Sequence, residues 1–268
     1  MEVQAPNPAT ARLEASDSRP AAASGRYLYA VLPADGAPLR YEGIGLKGTD
    51  VYAITADALA AVVSDVPDER LRPERRHLAA HQQVLKAIMK QLTPLPMSFG
   101  HIAEGPEAIR DILQRNQDAF LDQLRRVDGK VEMGLRVAWS VPSIFEYFVA
   151  VHPRLRMLRD ELFRGGREPS QDDKIELGRQ FDLALNEDRM ACTAKVIDVL
   201  TPCCFETATS PPRDEREVMN LACLVGRDAE ADFERGVFEA AKLFDDNFAF
   251  DYSGPWPPYS FVSGDVQF

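Results

Sequence analysis

The sequence lacks any run of about 18 apolar residues, the length needed for a helix to span a lipid bilayer. Its first 25 residues also lack the apolar segment of a signal peptide, because Val3 and Leu13 are the only large apolar side chains there after Met1. The same residues are rich in Ala, Pro and Ser and contain no aromatic side chain. We therefore expect a cytoplasmic protein that does not enter a membrane, with residues 1–25 forming a disordered tail.

Cysteine is also scarce, with four residues in a chain of 268. No two cysteines have the C-x-x-C spacing of a structural zinc site, and in a cytoplasmic protein they are expected to be reduced thiols. Cys203 and Cys204 are adjacent on a predicted strand, where they would point to opposite faces. We interpret them as packing residues, because no activating group is evident nearby.

Histidine offers one candidate metal site, since His77 and His81 lie one helical turn apart. Zinc proteases with this spacing have glutamate directly after the first histidine, whereas Leu78 occupies that position here. His81 also falls on the apolar stripe of its helix, which favours a hydrogen-bonded residue in the core or at an interface. We predict no metal, no cofactor and no catalytic residue, and keep as the alternative a metal- or ligand-binding enzyme that uses His77 and His81.

Acidic residues are in excess, with 42 Asp and Glu against 31 Lys and Arg and a net charge of -11. Such a surface repels phosphate backbones and anionic lipids, so nucleic acid and membranes are not expected partners. Residues 43–48 match the G-x-G-x-x-G pattern, but they lead into a predicted strand instead of the helix that a phosphate site requires, so we predict a loop. A local basic cluster, either a solvated helix start or a contact for an acidic partner, consists of Arg70, Arg72, Arg75 and Arg76.

The first half of the chain shows the periodicity of mixed strands and helices. Aromatic and β-branched runs indicate strands, two of them close enough to pair as a hairpin. The first helix opens at Pro73 and has one apolar stripe, formed by Leu78, His81, Leu85, Ile88 and Leu92. The predicted strands are residues 26–32, 50–54, 60–64 and 95–102, and the predicted helices are residues 73–92 and 105–128.

The second half follows a βαββαβ order. Its strands are predicted at residues 130–140, 203–209, 218–225 and 248–252. Two long helices follow the first of these strands, the second opening with a capping box at Ser170 and Asp173, and a last helix starts at Asp228. We predict an α+β fold class with two domains. Residues 26–128 form an N-terminal α+β domain, and residues 129–268 form a modified ferredoxin-like βαββαβ domain with a long αα-hairpin insertion.

The closing segment, residues 254–262, reads Gly-Pro-Trp-Pro-Pro-Tyr-Ser-Phe-Val. Its prolines favour an extended backbone that presents the rings of Trp256, Tyr259 and Phe261. Rings on such a pre-ordered backbone lose little entropy on docking, so these three are candidate partner-binding residues. The other interpretation is that they strap the C-terminus onto its own domain, and the residues alone leave both open.

This segment is similar to the C-terminal signature of the gas vesicle accessory proteins of the F/L family (GvpF/GvpL). Three further features occur in the same order as in that family. They are the opening Tyr27-Leu28-Tyr29-Ala30-Val31, the helix with His77 and His81, and the run Leu95-Pro96-Met97-Ser98-Phe99-Gly100. The sequence departs from the family at Ser98, where arginine is more common. The resemblance covers residues 26–262.

The resemblance implies an accessory or minor structural protein of gas vesicle formation, and not an enzyme. It implies binding to the hydrophobic major shell protein and to other gas vesicle accessory proteins in the cytoplasm. It also implies the two-domain α+β architecture described above, and no catalytic residue. The acidic surface of the chain would help to keep an apolar partner in solution.

Overall fold

The aromatic run near residue 27 forms a central strand of the first sheet. The computed structural model describes residues 25–36, 40–67, 71–164 and 168–263. The sheet is antiparallel with the order β2-β3-β4-β1-β5, and β6 also pairs with β1. Its strands are β1 (Gly25–Pro33), β2 (Arg40–Tyr41), β3 (Val51–Ala56), β4 (Leu59–Val66), β5 (Leu95–Pro96) and β6 (Ile102–Ala103).

The predicted hairpin is confirmed, whereas the single strand predicted at residues 95–102 is wrong. Strands β3 and β4 pair around a tight turn in which Asp57 has a φ of 51°. Residues 95–102 instead contain the two short strands β5 and β6, which pair with different parts of β1. Between them Gly100 has a φ of 108°, a conformation that favours glycine.

Helices cover both faces of the first sheet. Helix α1 places Val84, Leu85 and Ile88 against the face that carries Tyr27 and Tyr29. The opposite face packs against the apolar sides of α2 and α3. The three helices are α1 (Arg75–Met89), α2 (Gly105–Arg115) and α3 (Gln117–Val127).

Three details of these helices differ from the sequence prediction. Helix α1 begins at Arg75, with Glu74 as its N-cap, so Pro73 lies outside the helix. Leu78 was expected in the buried stripe, but it is 40% exposed because the stripe runs through His77, His81 and Leu85. The single helix predicted for residues 105–128 is divided at Asn116, whose φ of -108° and ψ of 13° are not helical.

The second half contains a four-stranded antiparallel sheet with the order β10-β7-β9-β8. Alternate residues of β7 face a core with Phe148, Phe181 and Phe233, as the predicted period of two requires. The strands are β7 (Lys130–Trp139), β8 (Glu206–Ser210), β9 (Glu217–Gly226) and β10 (Phe248–Trp256). The helices are α4 (Ile144–Val151), α5 (Pro153–Leu162), α6 (Gln171–Leu200) and α7 (Glu230–Ala241).

The predicted capping box of α6 is confirmed. The Asp173 backbone N–H donates to Ser170 Oγ at 3.2 Å, and the Ser170 backbone N–H donates to Asp173 Oδ2 at 3.0 Å. The preceding long helix is not continuous as predicted, because Pro153 lacks a backbone donor and pushes His152 to an extended conformation. The chain therefore forms two helices, α4 and α5. Gly165 and Gly166, expected to break this helix, lie outside the described residues.

Two further expectations in the second half are wrong. Cys203 is the last residue of a 3₁₀ turn that begins at Thr201, and β8 starts only at Glu206. Cys203 and Cys204 therefore do not lie on a strand, because Pro202 favours the turn. Asp228 does not cap α7, whose N-cap Ala229 has no side-chain hydrogen bond.

The two sheets are joined through Asp128 and Gly129, which connect α3 to β7. The hydroxyl of Thr93 donates to the Lys130 carbonyl at 2.8 Å and accepts from the Arg227 guanidinium at 3.1 Å. These contacts place the C-terminal end of α1 beside the start of β7. Both elements contribute to the site described next.

Candidate functional site

The closing segment, residues 254–262, runs from the second sheet back to the first. At its start Gly254 has a φ of 134°, and a Cβ there would lie 2.7 Å from Met133 Sδ and 3.0 Å from the Glu132 carbonyl oxygen. A side chain at this position would therefore collide with β7. Gly254 allows the segment to stay close to β7, so that Trp256 still pairs with Glu132.

Trp256 is half-buried and lies at the end of α1. Lys86 Nζ is 4.9 Å from the centre of the Trp256 ring, within the range of a cation–π contact. The indole N–H donates to Ser253 Oγ at 3.2 Å. A cavity of about 330 Å³ opens beside the ring and is lined by Lys90 and Arg227 as well. Of the three candidate rings, Trp256, Tyr259 and Phe261, it is Trp256 that borders a cavity with several cationic side chains.

Tyr259 reaches into the first half of the chain and contacts His81. Its hydroxyl lies 3.0 Å from His81 Nε2, although the two residues are 178 positions apart in sequence. The other ring nitrogen, Nδ1, lies 2.9 Å from the Tyr27 hydroxyl, which accepts from the Gly100 backbone N–H at 3.2 Å. Each ring nitrogen of His81 therefore has a tyrosine hydroxyl as its hydrogen-bond partner.

Aromatic rings enclose this imidazole on several sides. The Tyr29 ring stacks at 5.6 Å between centroids, and Phe99 meets the imidazole edge-on at 6.0 Å. The Tyr29 hydroxyl lies 2.8 Å from Ser64 Oγ and accepts from the Leu46 backbone N–H at 2.8 Å. This set of side chains, from here on the His81 cluster, comprises Tyr27, Tyr29, His81, Phe99 and Tyr259.

Burial sets the protonation of the His81 cluster. Loss of hydration lowers the pKa of His81 to about 4, and it raises the pKa of Tyr259 to about 12. Burial also raises the pKa values of Tyr27 and Tyr29. At neutral pH the cluster is therefore an uncharged hydrogen-bonded group, suited to holding structure together.

Phe261 and Ser260 fix the end of the segment. The Phe261 side chain is 4% exposed and packs with Val127 and Leu224, from either side of the connection between the sheets. The Ser260 backbone N–H donates to Glu132 Oε2 at 2.7 Å, and its hydroxyl donates to Oε1 at 3.0 Å. Burial raises the pKa of Glu132, while these two hydrogen bonds act in the opposite direction.

The structure thus places Trp256, Tyr259 and Phe261 along the junction of the two halves. The sequence pointed to the segment, and it predicted that His81 would be a hydrogen-bonded core or interface residue, which is confirmed. It did not indicate Glu132 or Tyr27 as partners, because those contacts join residues far apart in sequence. Partner binding through the three rings stays a prediction.

The geometry around His77 and His81 does not resemble a metal site. His77 Nδ1 lies 3.0 Å from the Arg72 carbonyl oxygen, whereas both nitrogens of His81 are bound to tyrosine hydroxyls. Within the described ranges, no group of three or more His, Cys, Asp or Glu side chains is placed to hold a metal ion. The two histidines have different neighbours and do not converge.

The structure also shows the surroundings of the other residues that the sequence singled out: residues 43–48, the basic cluster and the adjacent cysteines. Residues 43–48 form a turn that leads into β3, as predicted. In the basic cluster Arg76 pairs with Glu74 at 2.8 Å, and Arg70 lies outside the described residues. Burial raises the pKa of Cys203 to about 11, and hydrogen bonding to Cys223 together with burial raises that of Cys204. Both thiols are therefore protonated at neutral pH, which is unfavourable for a nucleophile.

The family of the chain is settled by its similarity to known proteins. The family model described as gas vesicle synthesis protein GvpL/GvpF matches residues 25–263, from β1 to the end of the closing segment. The chain belongs to the GvpL/GvpF family. This is a family of gas vesicle proteins and not of enzymes.

Relatives named gas vesicle protein F and L match this GvpL/GvpF chain over most of their length. Gas vesicle protein F from a Streptomyces species is 31% identical over 225 residues, covering 84% of this chain and 93% of the relative. Gas vesicle protein F from Dolichospermum flosaquae is 26% identical and covers 89% and 98%. Gas vesicle protein L1 from Halobacterium salinarum is 28% identical and covers 96% of both chains.

Two crystal structures of GvpF have the same fold. The protein from Anabaena sp. superimposes with a TM-score of 0.78 at 23% identity, covering 91% of this chain and 100% of that one. The protein from Microcystis aeruginosa gives a TM-score of 0.75 at 21% identity, covering 90% and 99%. The α+β fold with two antiparallel sheets is therefore that of GvpF. No helix in the described part of this chain is long and apolar enough to cross a membrane.

Proposed function

We propose that this protein is an accessory or minor structural component of gas vesicle formation that acts in the cytoplasm. It binds the hydrophobic major shell protein and supports assembly of the shell, together with other gas vesicle accessory proteins. The observation that carries the proposal is the match of the GvpL/GvpF family model to residues 25–263. Because the match spans nearly all described residues, the role is assigned to the whole chain.

The surface chemistry supports a binding role. The chain exposes several large apolar side chains on α6 and α7, such as Leu183 at 46% and Phe238 at 57%. Its net charge of -11 would keep a complex with an apolar partner in solution. We propose no catalytic activity, since His81 is buried and neutral and both of its ring nitrogens are already bound.

The proposed architecture has two domains, residues 26–128 and 129–268, each with its own sheet. Support for a modified ferredoxin-like second domain comes from its strand order, β10-β7-β9-β8, which is 4-1-3-2 when its strands are numbered along the chain. The helices α4, α5 and α6 stand where that fold has a single helix.

Expression of residues 129–263 alone tests the division into two domains. A cooperative unfolding transition of this fragment supports the division, and an unfolded product contradicts it.

Among the three rings of the closing segment, Trp256 is the one we assign to partner contact. Its ring is half-buried beside a cavity of about 330 Å³, whereas Phe261 is 4% exposed and packed inside. Tyr259 and Phe261 then act by holding the segment in place. A Trp256→Leu variant that unfolds like the wild type should recover less shell protein, and unchanged recovery would remove Trp256 from the contact.

Co-purification tests the proposed function directly. The major shell protein is expressed with the tagged full-length chain, and separately with a tagged unrelated protein of similar size and net charge. We expect shell protein to remain in the supernatant and to be recovered only with this chain. Shell protein found entirely in the pellet in both cases would contradict the proposal.

A further inference from the structure

A groove runs between α5 and α6, on the outer side of the second half. The two helices lie next to each other, and the groove between them has a volume of about 620 Å³. Its apolar lining includes Met157 and Leu158 from α5 and Leu183 and Ala184 from α6. It lies on helices that the predicted αα-hairpin adds to the sheet, away from the closing segment.

Several large apolar side chains of this helical region are exposed to solvent. Met157 is 65% exposed, Leu183 is 46% exposed and Met190 is 67% exposed. Along α6 the exposed residues Ile175, Leu183 and Met190 are spaced by eight and seven positions, which places them on one stripe of the helix. The opposite side of α6 is buried in the core. Helix α6 is therefore apolar on two sides, and within the described part of the chain one of these sides has no covering element.

Most of the charged side chains that line the groove are acidic. Glu161, Glu176 and Glu187 line it together with one guanidinium, that of Arg154. Hydrogen bonds from Arg179 and Gln180 lower the pKa of Glu176 to about 2 and pair that carboxylate on the helix surface.

The other two carboxylates of the groove remain available to an occupant. Glu161 and Glu187 make no ion pair with any other side chain in the described part of the chain. Since only Arg154 opposes them in the lining, a complementary occupant carries positive charge next to its apolar face.

We propose that this groove binds an amphipathic helix of a partner protein, with an apolar face flanked by lysine or arginine. Two adjacent helices with an open seam accept a third helix along that seam, and the flexible side chain of Met157 adapts to its shape. The inference rests on the proposed function only for the source of the helix, a protein of the gas vesicle system. The binding chemistry comes from the groove itself.

Two labelled synthetic peptides provide the probe. Each has about 18 residues, or five helical turns, with leucines on one face. One carries lysines beside the apolar face, and the other carries glutamates at the same positions. Fluorescence anisotropy measures their binding to the full-length chain. We expect the lysine peptide to bind at least about tenfold more tightly than the glutamate peptide, as complementary charge requires.

Matched variants separate the groove from general attraction to an acidic protein. The glutamine variant combines Met157→Gln and Leu183→Gln, and its net charge equals that of the wild type. Both positions are exposed, so we expect the variant to fold. We expect this variant to bind the lysine peptide about tenfold more weakly, because apolar contact is lost. Phe238→Gln on α7, which removes an equally exposed apolar side chain elsewhere, should bind like the wild type.

A charge exchange gives the second readout. In Glu161→Lys with Glu187→Lys the preference should shift toward the glutamate peptide. Wild-type-like binding by the Met157→Gln and Leu183→Gln variant would overturn the proposal, as would an unchanged preference after charge exchange or no binding of the lysine peptide. A wild-type dimer that the glutamine variant dissociates would instead assign the groove to a second copy of the chain, and would also overturn it.

Failure of this inference can be distinguished from failure of the proposed function. Peptide binding without recovery of shell protein supports the groove and contradicts the function. Recovery of shell protein by the wild type and equally by the glutamine variant, with no peptide binding, contradicts the groove alone.

Discussion

His81 forms a hydrogen bond to a tyrosine at each of its ring nitrogens, and the two tyrosines come from opposite ends of the described chain. Tyr27 lies on the first strand, and Tyr259 lies in the closing segment, which also contacts Glu132 through Ser260. A buried imidazole with both nitrogens paired is stable as a neutral group, whereas a missing partner leaves a polar atom without hydration. These contacts therefore hold the two halves of the chain together.

Removal of the Tyr259 hydroxyl tests the contribution of this hydrogen bond. We expect Tyr259→Phe to lower the free energy of unfolding by about 1–2 kcal/mol, because His81 Nε2 loses its partner inside the protein. Urea denaturation at pH 7 measures the change. Tyr252→Phe is the control, since the Tyr252 hydroxyl bonds to Glu234 at an exposed site. Equal effects of the two substitutions would contradict the role of the His81 cluster.

Acid should destabilise the protein through His81. Its pKa is about 4 in the folded chain against an ordinary 6.5, so between these values the unfolded chain binds more protons. The contribution of His81 to the free energy of unfolding is therefore complete above pH 6.5 and is lost as the pH falls toward 4. The complete loss amounts to about 3 kcal/mol. The loss measured by urea denaturation between pH 7 and pH 4.5 should be smaller in His81→Gln. An identical loss in both proteins would contradict the assignment.

At the scale of elements, local patterns predicted those structures that depend on neighbouring residues. The alternation along β7, the β3–β4 hairpin and the capping box at Ser170 and Asp173 all follow from spacing within a few positions. Pro153 divides α4 from α5. The sequence predicted one continuous helix there, because the apolar repeat has the same spacing on both sides of the proline. The strand predicted across Cys203 and Cys204 was wrong because the prediction did not take into account that Pro202 favours a turn.

The candidate site was predictable in its residues but not in its contacts. The density of rings and prolines in residues 254–262 marked the segment, and the position of His81 on an apolar stripe marked it as an internal residue. The pairing of His81 with Tyr259 spans 178 positions and depends on how the two halves are joined. No periodicity within one element contains that information.

Gly254 determines the path of the closing segment. We expect Gly254→Ala to destabilise the fold by about 2 kcal/mol, because its φ of 134° is unfavourable for alanine and the added Cβ would lie 2.7 Å from Met133 Sδ. Gly178→Ala is the matched control, since nothing lies within 4 Å of the added methyl group there. Within α6 that change should stabilise the protein by about 0.5–1 kcal/mol. Thermal unfolding of both variants measures the difference, and a neutral Gly254→Ala would show that the segment is not constrained at this point.

At the scale of the whole molecule, the chain combines a net charge of -11 with exposed apolar side chains on one side of α6. The charge favours solubility, while the apolar side chains favour association with a partner. This combination is what the binding role proposed above requires. The GvpL/GvpF family match over residues 25–263 connects this physical character to the gas vesicle.

Deletion and complementation in a vesicle-forming host test the role in gas vesicle formation most directly. The gene is removed from the strain that carries it, and cells are examined by flotation and electron microscopy with and without a plasmid that encodes the wild-type chain. We expect the deletion strain to lose buoyant vesicles and the plasmid to restore them. A deletion strain with normal vesicles in normal number would contradict the role proposed for this protein.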